Sequence, residues 1–116
     1  MKCNFKGRRS SMKEIINSII KFRDERNWKQ FHTGANLAKS LSIEAAEVLQ
    51  LFQWNEECKN VDDLKDEVAD VMIYALLLCE KYNMDPEAII SAKLRKNSNN
   101  YPVEKAFSSS KKYTEF

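Results

Sequence analysis

Apolar residues recur along this chain at three- and four-residue intervals in four blocks, the spacing that lines one face of an α-helix. Met12, Ile15, Ile16, Ile19 and Phe22 form the first block, and Ser11-Met12-Lys13-Glu14 before it has the S-x-x-E form of a capping box. The pattern predicts a helix over 11–26. Leu37, Leu41, Val48, Leu49 and Phe52 make the seam of a second, predicted over 35–54 with Thr33 as its cap. A third helix, capped by Asn60 or Asp62, carries Leu64, Val68, Val71, Met72, Ile73, Tyr74, Leu76, Leu77 and Leu78, apolar on nearly every side. Such a helix needs cover from several directions. Asp85, followed by Pro86 at the first helical position, opens a fourth helix that runs through Ala88, Ile89, Ile90 and Leu94 to about Asn100. Tyr101-Pro102 stops it, and no periodicity follows.

Short links between helices favour antiparallel neighbours, so the expected fold is all-α, a small four-helix bundle in which helices two and three form a hairpin. The organisation expected is a basic N-terminal extension over 1–10, a helical domain over 11–102 and a C-terminal tail over 103–116. The apolar third helix points to self-association. Composition narrows the alternatives. Gly7 and Gly34 are the only glycines, so neither a phosphate-cradling G-x-x-x-x-G-K loop nor a G-x-G-x-x-G dinucleotide turn can be written. With only Pro86 and Pro102 besides, a protein of many short strands is excluded too. A chain of 116 residues, 43% apolar and 31% charged, suits one soluble domain. Cys3, Cys58 and Cys79 are odd in number and widely spaced, which implies reduced thiols. No apolar core follows the basic residues Lys2, Lys6, Arg8 and Arg9, and no long apolar run occurs, so the expected location is the cytoplasm and no membrane is involved.

The net charge of +2 conceals segregation. Between Glu44 and Asp70 nine acids face two bases, whereas Lys93, Arg95, Lys96, Lys105, Lys111 and Lys112 face Glu104 alone. Most of these charges need be no more than solvated helix faces. The basic ends by themselves would supply only a non-specific, salt-sensitive attraction to nucleic acid, which is therefore not the expected partner.

Four of the acids stand where apolar residues belong. The second seam, read as 37, 41, 44, 48 and 52, puts Glu44 inside it, and Glu47 follows about 60° around the helix. Helix three repeats the arrangement with Glu67 and Asp70, and Tyr74 continues that stripe. Carboxylates are almost never buried without partners. Two like charges 4 Å apart repel by about 4 kcal/mol at an effective dielectric near 20. No Lys or Arg is spaced to pair with all four, so the economical partner is a multivalent cation, and an all-oxygen ligand set suits Mg²⁺ or Mn²⁺. A di-iron bundle would require Glu-x-x-His on each of two helices, and His32 is the only histidine. Lys93 and Asn97, four apart on helix four, share a face suited to phosphate oxygens.

Several longer stretches surround these residues: Phe22-Arg23-Asp24-Glu25-Arg26-Asn27-Trp28-Lys29-Gln30-Phe31-His32, Asn36-Leu37, Ser42-Ile43-Glu44-Ala45-Ala46-Glu47 and Leu51-Phe52-Gln53-Trp54. Asp66-Glu67-Val68-Ala69-Asp70-Val71-Met72-Ile73-Tyr74, Ala92-Lys93-Leu94 with Asn97, Tyr101-Pro102-Val103 and Lys112-Tyr113-Thr114 continue them. Taken together, these stretches resemble the MazG-like all-α nucleoside triphosphate pyrophosphohydrolases, and more particularly their dCTP-pyrophosphatase branch. The resemblance implies hydrolysis between the α and β phosphates of a nucleoside triphosphate, giving a monophosphate and pyrophosphate. It implies that Glu44, Glu47, Glu67 and Asp70 hold Mg²⁺, with Glu47, or else Glu44, acting as catalytic base. It further implies that Lys93, Asn97 and Tyr101 contact the polyphosphate, and that Trp28, His32, Trp54 and Tyr74 surround the base. Homodimers or homotetramers are implied as well. The substrate stays open among dCTP, dUTP and modified deoxycytidine triphosphates. Two alternatives remain: a phosphoribosyl-ATP-type pyrophosphohydrolase with the same acids, and a non-catalytic helical binding module.

Overall fold

A computed structural model describes residues 10–116; of the predicted basic extension, only Ser10 falls within the described residues, and Cys3 lies outside them. The elements are α1 (Met12–Glu25), a 3₁₀ turn (Lys29–Phe31), α2 (Gly34–Gln50), α3 (Val61–Lys81), α4 (Pro86–Asn100), α5 (Val103–Ala106) and a second 3₁₀ turn (Tyr113–Glu115). No strand occurs among the described residues, and the all-α expectation holds. The chain divides into two compact units, one ending at Tyr82 and the other spanning Asn83–Phe116. That division falls inside the segment predicted as one helical domain. No helix among the described residues is long and apolar enough to cross a membrane.

Local chemistry sets the helix starts. Ser11 Oγ accepts the Glu14 amide at 3.1 Å while the Glu14 carboxylate accepts the Ser11 amide at 3.3 Å, closing the capping box. Thr33 Oγ1 accepts from the Asn36 amide at 3.0 Å, and Asn60 Oδ1 from the Asp63 amide at 3.1 Å. Each cap satisfies an amide that the helix leaves without a partner, a contribution of about 1 kcal/mol. Asn60, not Asp62, is the cap of α3. Asp85 caps α4 and Pro86 occupies its first turn.

The second helix stops short of its predicted end. The amides of Leu51, Phe52 and Gln53 donate three residues back, to Val48, Leu49 and Gln50, so the backbone tightens and the chain leaves the helix. Phe52 and Trp54 therefore fall in the turn and not on α2. At the ends of α1 and α3, Asn27 and Asn83 take positive φ of 55° and 54°, a conformation that asparagine tolerates at helix C-termini. The reversal at Asn27 lets the Trp28 amide donate to the Arg23 carbonyl at 3.1 Å and sets Trp28 edge-on to Phe22, 5.7 Å between ring centroids.

In the first unit α2 and α3 pack along each other as the expected hairpin, and α1 packs on α3. Leu37, 1% exposed, is the most completely buried apolar side chain, and Leu77 and Cys79 join it from α3. Burying a leucine contributes about 2 kcal/mol. A Cβ at Gly34 would collide with the Tyr82 hydroxyl, so glycine at the first position of α2 allows Tyr82 to close over that helix end. The cover that α3 requires is incomplete: Met72 is 59% exposed, and Val71, Ile73, Leu76 and Leu78 are only half-buried.

In the second unit the segment after Pro102, which carries no periodic signal, is ordered into α5 and the 3₁₀ turn. Elements of three or four residues are too short to show a hydrophobic period.

Candidate active site

The heptad-like seam of α2 carries Glu44 and Glu47 to the surface that meets α3, and the matching face of α3 carries Glu67 and Asp70. The hairpin brings them together. One carboxylate oxygen each from Glu44, Glu67 and Asp70 lie within 4.8 Å of one another. Glu47 is not one of those three, but its carboxylate stands close enough to Glu44 and Glu67 to raise the pKa of both. Oε2 of Glu44 and Oε2 of Glu67 are buried and accept no hydrogen bond. None of the ion pairs among the described residues involves these four acids; those pairs join Arg23 to Asp24 and Glu80, and Lys65 to Asp62.

Crowding of like charge has a titration consequence. The Glu67 pKa is pushed up to about 7, first by a proton shared with the adjacent Glu47 carboxylate, then by burial and the charges of Glu47, Asp70 and Glu44. Glu44 is raised by burial first and then by Glu47 and Asp70. An orphaned, oxygen-only donor set of this kind fits Mg²⁺ or Mn²⁺: the spacing is on the order of twice a metal–oxygen bond of about 2.1 Å. Thiolate or imidazole ligands, which would favour zinc, are absent from this cluster.

The sign of the pH effect follows. Between its unfolded value of 4.5 and its folded value of about 7, Glu67 holds a proton in the folded chain that the unfolded chain has released. Its contribution to stability is complete below the lower value and is lost as pH rises through the upper one. In chelator, Glu67→Gln should therefore raise the melting temperature at about pH 8 and change it little at about pH 5. Calorimetry at the two pH values checks this; a variant no more stable than the parent at the higher pH would remove the carboxylate crowding.

A cleft of about 720 Å³ opens beside the acids, between α1 and α3. Trp28, His32, Asp70 and Tyr74 line it together with apolar side chains such as Phe22 and Ile73. His32 Nδ1 is buried without a hydrogen-bond partner. Burial first, and the nearby Arg23 charge second, hold the His32 pKa below the usual histidine value, so the ring is neutral at physiological pH. A neutral imidazole and flanking aromatic faces in a mostly apolar cleft can take a planar heterocycle, with the ring nitrogen supplying direction. Trp54 is not among the lining residues and stands 84% exposed in the turn after α2.

The chain matches the MazG-like family over residues 39–116, from within α2 onward. The chain belongs to the MazG-like family. It is 32% identical to dCTP pyrophosphatase 1 of Homo sapiens over 114 residues, which cover 90% of this chain and 67% of that protein. Against dCTP pyrophosphatase 1 of Mus musculus the identity is 34% over 115 residues, with the same coverage of each. Among solved structures, a pyrophosphatase from Archaeoglobus fulgidus aligns with a TM-score of 0.76 at 36% identity, covering 81% of this chain and 94% of that one. The helical architecture is thus that of the MazG-like pyrophosphatases, and its class is that of nucleotide pyrophosphohydrolases.

The remaining candidates of this MazG-like chain lie in its second unit. Lys93, Asn97 and Tyr101 follow at four-residue spacing along α4 and its C-cap, with Lys93 exposed and the other two half-buried.

One residue of the cleft escaped the sequence reading. Arg23 is only 4% exposed and lines the cleft, its Nη1 donating to Glu80 and its Nε to Asp24, both at 2.8 Å. Its signal was present: Met12, Ile16, Ile19 and Arg23 are spaced 4, 3 and 4, so an arginine occupies the seam of α1 as Glu44 occupies that of α2. The reciprocal carboxylate, Glu80, lies 57 residues away, and no local spacing connects the two.

Proposed function

We propose that this chain is a Mg²⁺-dependent pyrophosphohydrolase of pyrimidine deoxynucleoside triphosphates, with dCTP as the leading substrate, releasing the monophosphate and pyrophosphate. The observation that carries the reading is the convergence of Glu44, Glu67 and Asp70, with two buried oxygens that no donor satisfies. Glu44, Glu47, Glu67 and Asp70 would hold the ion, with Mn²⁺ as the alternative. When bound, the ion supplies positive charge against the triphosphate and acidifies nearby water.

The chain's own groups then perform the rest. Glu47, adjacent to Glu44 and Glu67, accepts a proton from the attacking water as general base. The water oxygen bonds to a phosphorus of the α–β anhydride as the bridging bond breaks, and the electron pair of that bond leaves on pyrophosphate or the monophosphate oxygen. Lys93, Asn97 and Tyr101 hold polyphosphate oxygens. Trp28 and Tyr74 flank the base, and His32 Nδ1 makes a directional contact with its edge. The apolar lining excludes water from around that contact, which strengthens it.

The reading includes assembly into a homodimer or homotetramer. Ile43, Leu49, Trp54 and Met72 are large apolar residues on the surface of a single chain, and Trp54 enters as a residue covered on assembly.

Incubation with a panel of triphosphates in Mg²⁺, followed by product analysis, tests the proposal. Monophosphate and pyrophosphate from dCTP, released faster than from purine nucleotides, is the expected outcome. Turnover confined to phosphoribosyl-ATP would transfer the site to that reaction class. No pyrophosphate from any nucleotide, with nucleic-acid binding intact, would make the chain a binding module.

A further inference from the structure

Tyr101 ends α4 as its C-cap, with φ −123° and ψ 64°, and its amide donates to the Asn97 carbonyl at 2.8 Å. Because its backbone has left the helix, the preceding turn no longer restricts the ring. Two other rings hold it instead. Tyr113 stands edge-on at 5.6 Å between centroids with an interplanar angle of 84°, and Phe116 at 5.8 Å with 89°. Edge-to-face pairs of this geometry shift an equilibrium by about two- to tenfold each.

The segment that carries the two rings is organised by its own short bonds. Ser109 Oγ accepts the Lys111 amide at 3.3 Å, Glu115 accepts the Lys112 amide at 2.9 Å, and the Phe116 amide donates to the Tyr113 carbonyl at 3.3 Å. These bonds shape a turn that presents Tyr113 and Phe116 to one target. Both rings remain about 40% exposed, so each is used on one side only. The Tyr101 hydroxyl makes no hydrogen bond among the described residues, although its ring is clamped. A fixed ring whose hydroxyl has no partner among the described residues keeps that hydroxyl available to a ligand.

We propose that residues 111–116 form a strap whose Tyr113 and Phe116 position the Tyr101 hydroxyl for the polyphosphate, making both rings positioning residues of the site. The proposal rests on the reading of Tyr101 as a phosphate contact. Its effect is pre-organisation: the ring does not have to be ordered when the nucleotide arrives.

The test is a mutant cycle on the full chain, with KM and kcat for the triphosphate in Mg²⁺. Tyr113→Ala with Phe116→Ala should raise KM about tenfold and leave kcat within about twofold. Tyr113→Phe with Phe116→Tyr, which keeps both rings, should restore KM. In a Tyr101→Phe background the alanine pair should add nothing further. A full additional loss there would mean that the segment acts by another route, and would overturn the proposal. A KM that rises in Tyr101→Phe but not in the alanine pair would also overturn it while leaving the Tyr101 assignment standing. If Tyr101→Phe alone leaves KM unchanged, the assignment itself fails. Independently of turnover, the Tyr101 ring resonances should move in the alanine pair; unmoved resonances would refute the clamp whatever the kinetics.

Discussion

Glu44→Gln and Asp70→Asn should each lower pyrophosphate release by at least about 100-fold, while the helical content stays unchanged. The estimate follows from the loss of a charged oxygen in a cluster where even supporting groups around a metal are worth ten- to a hundredfold. Both substitutions preserve shape and remove one negative charge from a crowded set, so repulsion in the ion-free protein decreases. Stability and activity should therefore move in opposite directions: the ion-free variants melt no lower than the parent, and turnover collapses. Such opposition separates a functional site from a structural one, where the two losses travel together. Pyrophosphate release in Mg²⁺ and thermal melts in chelator measure the two quantities on the same preparations. Full turnover in either variant would show that the quartet is not the reaction centre.

Arg23→Met should destabilise the protein by about 2–4 kcal/mol, the largest effect on stability expected from a polar position. The guanidinium is buried, and its removal leaves Glu80 without the partner that lies 2.8 Å away in the folded chain. Methionine fills much of the same volume, so the loss reports the broken ion pair more than a cavity. Replacing both partners, Arg23→Met with Glu80→Leu, should recover most of that stability, because no charge is then left buried alone. Chemical denaturation of the single and double variants reads both numbers; a single variant as stable as the parent would mean the pair contributes nothing. The same change should raise the His32 pKa, since the Arg23 charge is the second cause of its depression after burial. An NMR titration of the single histidine detects that shift directly.

Helix starts were legible because they depend on bonds between residues two or three apart. The Ser11–Glu14 box, the Thr33 cap and the Asp85-Pro86 opening are each complete within one turn of chain. The end of α2 was less so: the apolar period runs on through Phe52, and only the tightening of the last amides breaks it. The acidic quartet was legible as an anomaly, since carboxylates on an apolar seam carry a cost that something must offset. The tail was not, because α5 and the turn at Tyr113–Glu115 are too short for periodicity, and Tyr113 and Phe116 meet Tyr101 from 12 and 15 residues away.

By itself the sequence determined the helical class, where most helices begin, and which acids stand on otherwise apolar helix faces, since each of these follows from spacing along one rod. Only the tertiary structure decided that oxygens of Glu44, Glu67 and Asp70 meet within 4.8 Å, that Trp28, His32 and Tyr74 share a cleft from which Trp54 is absent, and that Arg23 reaches Glu80. Those are relations between elements far apart in the chain. They depend on how helices lie against one another, which no local period encodes.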